Sequence, residues 1–120
     1  RNEIAKKAKF YFYDLGVRNA VIGQYNELPL RNDVGFLFEN FIFMELYKKS
    51  KALHRHEDFY FWRTHEGAEM DILVEADGGL HAYECKWSKE RSTHEGIFKS
   101  SYPDAAVAVI NQENFFDLVK

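Results

Sequence analysis

Two β-rich runs meet across Asp77-Gly78-Gly79, and the hairpin they form over residues 68–88 limits what this chain can fold into more than any other stretch. The first run is Ala68-Glu69-Met70-Asp71-Ile72-Leu73-Val74-Glu75-Ala76, the second Leu80-His81-Ala82-Tyr83-Glu84-Cys85-Lys86-Trp87-Ser88. A period of two puts Asp71 on the face of Leu73, and Glu84 with Lys86 on the face of Ala82. A loop of Asp77 and Gly78 sets Asp71 opposite Glu84; a loop of Gly78 and Gly79 sets it opposite Lys86. Either register gathers Asp71, Glu84 and Lys86 on one face, with opposed Cβ atoms about 4.5–5.5 Å apart. A three-residue loop without a bulge splits the set.

Two carboxylates at that separation repel unless positive charge stands between them. Hard divalent cations take oxygen ligands, and Mg²⁺ uses one or two carboxylates together with water and phosphate. Lys86, two residues past Glu84 and on its face, can hold an attacking water or stabilise charge on a phosphate. The competing reading is a surface hairpin with an Asp–Lys cross-strand pair, worth about a few tenths of a kcal/mol.

The rest of the chain bounds the setting. With 120 residues, 46% of them hydrophobic and 11 of them Phe, it reads as one folded domain over residues 1–120. A net charge of −3 gives no global pull toward nucleic acid, so any such binding rests on local patches. The single cysteine, Cys85, excludes an internal disulfide framework and fits a reducing cytoplasm. Neither a membrane span nor a signal peptide is visible. The chain starts at Arg1 without an initiator Met, which suggests the C-terminal domain of something larger. It has no Gly-x-x-x-x-Gly-Lys-Ser/Thr loop, so nucleotide hydrolysis would belong to a missing part.

In chain order, residues 1–9 form a basic lead-in and Phe10-Tyr11-Phe12-Tyr13 a short strand. Residues 17–22 form a helix stopped by Gly23, and residues 24–32 a loop with Pro29. Asn32 or Asp33 caps the strongest helix, over residues 34–49, whose apolar side chains go nearly all round and predict cover on several sides. Asp58–Arg63 reads as a strand, residues 64–67 as a turn, and residues 89–96 as a charged loop leading toward a short helix. The apolar run at residues 104–110 suits a buried parallel strand, and residues 111–120 a final amphipathic helix. The sum is an α/β fold, a small mixed sheet flanked by helices.

Two acids interrupt the long helix. Glu45 has Lys48 and Lys49 within a turn to neutralise it. Glu39 has only Gly35, Phe36, Ile42 and Phe43 at those positions, and an ionised carboxylate among phenylalanines demands a partner, a metal or a shifted pKa. It either opens to solvent beside Asn40 or joins the hairpin's acids as a third carboxylate. The five histidines (His54, His56, His65, His81 and His94) match no zinc spacing and read as scattered surface residues. Parity puts Cys85 opposite Glu84 and Lys86, as a packing residue. Trp62 and Trp87 can stack on bases or fill the core, and Arg63, Lys86, Lys89 and Arg91 can rim an acidic centre for phosphate contact.

An acid on the first core helix, Asp71 on a strand and Glu84-Cys85-Lys86 on the next resemble the PD-(D/E)XK nuclease superfamily, whose fold is that of restriction endonucleases and archaeal Holliday junction resolvases. Longer segments are similar to a family of unknown function found at the C-terminus of prokaryotic AAA+ ATPases. They are Phe10-Tyr11-Phe12-Tyr13-Asp14-Leu15-Gly16-Val17-Arg18-Asn19-Ala20, Gly35-Phe36-Leu37-Phe38-Glu39-Asn40-Phe41, Phe61-Trp62-Arg63-Thr64, Glu69-Met70-Asp71-Ile72-Leu73-Val74-Glu75 and Tyr83-Glu84-Cys85-Lys86-Trp87-Ser88.

That resemblance implies a restriction-endonuclease-like fold. It makes Asp71, Glu84 and the Cys85 backbone carbonyl ligands of Mg²⁺ or Mn²⁺. Lys86 positions water or phosphate, and Glu39 holds a second metal or a metal-bound water. Met70 stands where the superfamily's name has Pro. The implied function is metal-dependent hydrolysis of DNA, branched or single-stranded, by a cytoplasmic domain attached to an upstream ATP-binding AAA+ ATPase. The alternative is a non-catalytic module recognising a protein or DNA partner, and a further one is an oligomerisation domain marked by an exposed aromatic patch.

Overall fold

Asp77 and Gly78 take φ of 51° and 77°, the left-handed pair a type I′ turn demands, in a computed structural model that describes residues 11–88 and 94–119. The turn joins β2 (Glu69–Ala76) to β3 (Gly79–Cys85), with Ala76 paired to Gly79. Of the registers open to the sequence, this is the one with Asp77 and Gly78 as the loop.

β1 (Asp58–Arg63) pairs antiparallel with β2, and β4 (Ala106–Ile110) pairs parallel with β3. The four-stranded mixed sheet runs β1-β2-β3-β4. The parallel pair needs a crossover, which α3 (Glu95–Ser101) supplies. As an edge strand, β4 leaves Ala106 and Ala108 exposed, so the apolar run is less buried than its composition predicts.

Helices cover both faces. On one, Trp62, Met70, Leu73 and Ala82 pack with Phe98 of α3. On the other, Ile72, Val74 and Ile110 pack with Phe38 and Ile42 of α2 (Val34–Ala52), joined by Phe115 of α4 (Phe115–Val119). α2 is covered on fewer sides than its composition predicts: Leu37, Phe38 and Ile42 are buried while Phe36 is 70% exposed. Among the described residues no helix is long and apolar enough to cross a membrane.

α1 (Leu15–Ile22) starts two residues before the predicted helix because the Asp14 carboxylate caps the amides of Gly16 and Val17. Its other end is Gly23 at φ 70°, a left-handed cap. Between α1 and α2, Pro29 sits in a 3₁₀ turn, Leu28–Leu30. The strand expected at Tyr11-Phe12-Tyr13 does not form; the described part of that run joins no sheet, and Phe10 lies outside the described residues. Strand propensity yields here to a side-chain partner on α2. Asn40 donates from Nδ2 to the Phe12 carbonyl at 2.7 Å and accepts the Phe12 amide on Oδ1 at 2.9 Å. Residues 1–9, and Lys89 and Arg91 of the proposed rim, also lie outside the described residues.

The strict alternation of β2 breaks at one point. Tyr60 pairs with Leu73 and Trp62 with Met70, so Phe61 alone stands against Asp71 and Ile72. This bulge is why Met70 and Leu73, three residues apart, share a core cluster while Ile72 joins the other. Period two therefore fails to assign the face of Asp71, and its placement follows from its contacts.

Asp33 precedes α2 as expected, yet its side chain makes no capping bond. Instead it takes Arg31 from Nε at 2.7 Å and a second nitrogen at 2.8 Å, and Arg18 of α1 at 2.9 Å. Hydrogen bonds from Arg31 hold the carboxyl far below the usual carboxylate range, reinforced by Arg18. A depressed folded-state pKa adds stability that is present above the unfolded value of about 3.9 and is lost as pH falls below it. The melting temperature should thus fall more steeply from pH 5 to pH 3 in the native chain than in Asp33→Asn. Parallel melting curves across that range refute this role.

Candidate active site

The end of the hairpin farthest from its turn collects the candidate residues. The β2–β3 pairing ends at Ile72↔Tyr83, so Asp71 and Glu84 lie just past its last pair. Asp71 is half-buried, and its Oδ2 accepts the backbone amide of Cys85 at 2.8 Å. The sequence reading used the Cys85 carbonyl; the amide of the same residue is what orients Asp71. The Cys85 side chain packs into the α2-side cluster, as parity predicts, and is in no disulfide.

Glu84 is 3% exposed, the one acid or base among the buried described residues, and shares the α3-facing side with Ala82. Lys86 brings Nζ to 3.9 Å from its Oε2, and His94 brings Nδ1 to 4.0 Å. The Lys86 side chain keeps about a quarter of its surface, so the ammonium faces both the buried acid and solvent. Its backbone amide bonds the Ile110 carbonyl at 2.8 Å, which fixes the end of β3 against β4. Trp87 is half-buried and packs edge-on to Phe38, with 5.5 Å between ring centres, and Trp62 is in the core with no face for a base.

His94 is the residue that sequence reasoning misplaced. His54, His56, His65 and His81 are exposed, as expected, but His94 is half-buried beside Glu84. Its Nδ1 meets the Glu69 amide at 3.2 Å and the Glu69 carbonyl at 3.1 Å, and the tautomer decides which bond forms. Either way the imidazole ties the start of α3 to the start of β2. A contact 25 residues apart through a charged loop leaves no periodic signal.

Glu39 sits half-buried on α2, and its carboxylate accepts the hydroxyl of Tyr11. The Tyr11 ring stacks on Phe43, one turn along the same helix, at 4.2 Å between centres. Burial pushes the Tyr11 phenol far up, with further contributions from Glu39, then Asp71 and Cys85. Glu39 keeps part of its surface exposed, while Asn40 beside it is buried at 3% exposure.

Arg63, expected on a phosphate-contacting rim, bonds Glu69 across the sheet at 2.7 Å. The contacts of the candidate donors fall in separate places: Glu39 with Tyr11, Asp71 with the Cys85 amide, and Glu84 with Lys86 and His94. Carboxylates and peptide carbonyls are the donor types that suit Mg²⁺ or Mn²⁺. Among the described residues, no three His, Cys, Asp or Glu side chains are drawn together as a ready metal cluster.

Among curated proteins, an uncharacterized protein of Mycobacterium bovis and one of Mycobacterium tuberculosis are each 30% identical to this chain over 83 residues. The match covers 68% of this chain and only 18% of each relative. No solved structure matches it. The family model described as a domain of unknown function (DUF4143) matches residues 34–117, from the start of α2 into α4 and through every strand that carries the site. The chain belongs to that family.

Proposed function

We propose that this domain is a metal-dependent nuclease of the restriction-endonuclease-like kind, hydrolysing DNA phosphodiesters at the end of the β2–β3 hairpin. The observation that carries the reading is Glu84, 3% exposed and faced by Lys86 at 3.9 Å. A carboxylate that deep is costly without compensating charge, and sites of chemistry are where such groups are retained. Asp71, Glu84, the Cys85 carbonyl and Glu39 would hold Mg²⁺ or Mn²⁺. When bound, such a cation supplies a water that ionises near neutral pH and a charge opposite the scissile phosphate.

The chain's own residues do the rest. Lys86 offers an ammonium to a phosphate oxygen or to the attacking water. The Cys85 amide orients Asp71, and Tyr11 holds Glu39. His94 locks the start of α3 beside Glu84. The net charge of −3 means DNA is gripped locally, with branched or single-stranded forms as the substrates of this reading. Resemblance further couples the module to an AAA+ ATPase in a longer cytoplasmic chain, and the mycobacterial relatives are much longer than the matched stretch.

A second reading, a partner-recognition module, draws on apolar surface around α1. Val17, Val21, Tyr25, Leu28, Leu30 and Phe36 are all 45% exposed or more. Incubation with supercoiled and branched DNA separates the two. The nuclease reading expects nicking or cleavage with Mg²⁺ or Mn²⁺ and none in EDTA. Identical traces with and without metal leave the recognition module.

A further inference from the structure

A cavity of about 310 Å³ opens between the segment that precedes α2 and the rest of the fold. Leu15 of α1 and Leu28 of the 3₁₀ turn form one wall; Leu37 and Phe41 of α2, Trp87 beyond β3 and Phe115 of α4 form the other. Among the described residues no charged side chain lines it, and the Gln112 amide at its edge already donates from Nε2 to the Trp87 carbonyl at 2.7 Å. Apolar walls ordinarily close on one another, since protein interiors pack to crystal density. Here polar bonds set the spacing. Neither α1 nor the 3₁₀ turn buries a residue. Arg31 fixes both, donating to Asn19 of α1 at 3.0 Å and to Asp33 before α2 at 2.8 Å, and Arg18 of α1 donates to the same carboxylate at 2.9 Å. Leu15 and Leu28 are thereby held over α2 by a brace outside the cavity.

We propose that this cavity is a binding site for a neutral, planar aromatic molecule of about two fused rings. Its size sets the first limit: a cavity of about 150 Å³ with Leu, Ile and Phe walls takes benzene, and this one has about twice that room. The uncharged lining sets the second, because a buried ion would find no partner there. Ring geometry sets the third. Phe115 stands nearly at right angles to Phe38 (86°, 6.1 Å between centres) and to Phe41 (76°, 5.9 Å). A flat guest can lie against one ring and take the edge of the next. The proposal is independent of the cation reading, since none of the candidate metal donors lines the cavity.

The test uses 1-naphthol, neutral at about pH 7, as the probe, and ¹⁵N NMR of the tryptophan indoles as the readout. Trp87 is on the wall; Trp62, in the cluster on the other face of the sheet, is the internal control. The Trp87 signal should shift saturably while the Trp62 signal stays in place. Leu28 is 45% exposed, so Leu28→Glu should melt within a few degrees of the native chain, yet a carboxylate at the wall should weaken binding about 10-fold or more. Leu28→Trp, which fills the space without charge, should weaken it as well. A Trp87 signal that does not move up to the solubility of the probe overturns the proposal. So does native affinity in both Leu28 variants, which puts the probe on the exposed apolar surface around α1. Sedimentation of the native chain as a dimer that Leu28→Glu returns to monomer means that a second copy fills the cavity, and overturns it too.

Discussion

Lys86→Ala should lose DNA cleavage by roughly 10²- to 10³-fold, the loss seen when one preorganised charge donor is removed from a transition state. Lys86 is not among the oxygen donors, so Mn²⁺ affinity should change far less than the rate. Its ammonium stands 3.9 Å from a buried carboxylate and keeps partial access to solvent, which lets it serve incoming phosphate without leaving Glu84. Glu84→Ala should lose cleavage at least as completely, because it removes a ligand and leaves Lys86 beside an apolar pocket. Gel assays on supercoiled DNA, run beside thermal melts, read both. Native rates in Lys86→Ala remove the lysine from the chemistry and leave its pairing with Glu84 a structural one.

The second large effect is on stability and comes from α3. Phe98 is fully buried, edge-on to Trp62 at 5.2 Å and tilted against Tyr102 at 5.0 Å. It is the main side chain that α3 sends into the sheet-side cluster with Met70, Leu73 and Ala82. Phe98→Ala should destabilise the fold by about 3–5 kcal/mol, a lost transfer free energy plus the cavity left behind. That is a large share of the roughly 5–15 kcal/mol holding a domain of this kind together. The Trp62 Nε1 is buried with no acceptor among the described residues, so water entering the new cavity would meet it and offset part of the loss. Urea unfolding gives the value directly. A loss under about 1 kcal/mol would mean α3 is not anchored as described.

The hairpin was legible because turn chemistry and strand pattern agree: Asp77-Gly78 fits a type I′ turn, and the observed register follows from it. β1 matches its expected bounds, and α2 runs on only from Lys49 to Ala52. What stayed hidden depends on partners distant in sequence. The bulge that sets Phe61 against Asp71 and Ile72 comes from how β1 and β2 twist together, which no single run of alternation records. Tyr11 to Tyr13 has strand composition but finds an asparagine side chain instead of a sheet edge. Asp33 looks like a cap and serves as an arginine clamp.

The site divides the same way. Glu84 and Lys86 were readable from spacing as neighbours, the face of Asp71 was not because of the bulge, and the sequence neighbours of Glu39 marked it as unusual. Tyr11 and His94, which hold Glu39 and flank Glu84, carry no local pattern that names them. Each is recruited across 25 residues or more, by packing against α2 or against the start of β2.

The claim on which all of this depends is that Asp71 and its neighbours form a cation site, and Mn²⁺ titration by calorimetry tests it most directly. The native chain should give a saturable binding heat that Asp71→Asn abolishes while melting within a few degrees of the native protein. Indistinguishable titrations of the native chain and Asp71→Asn would contradict it.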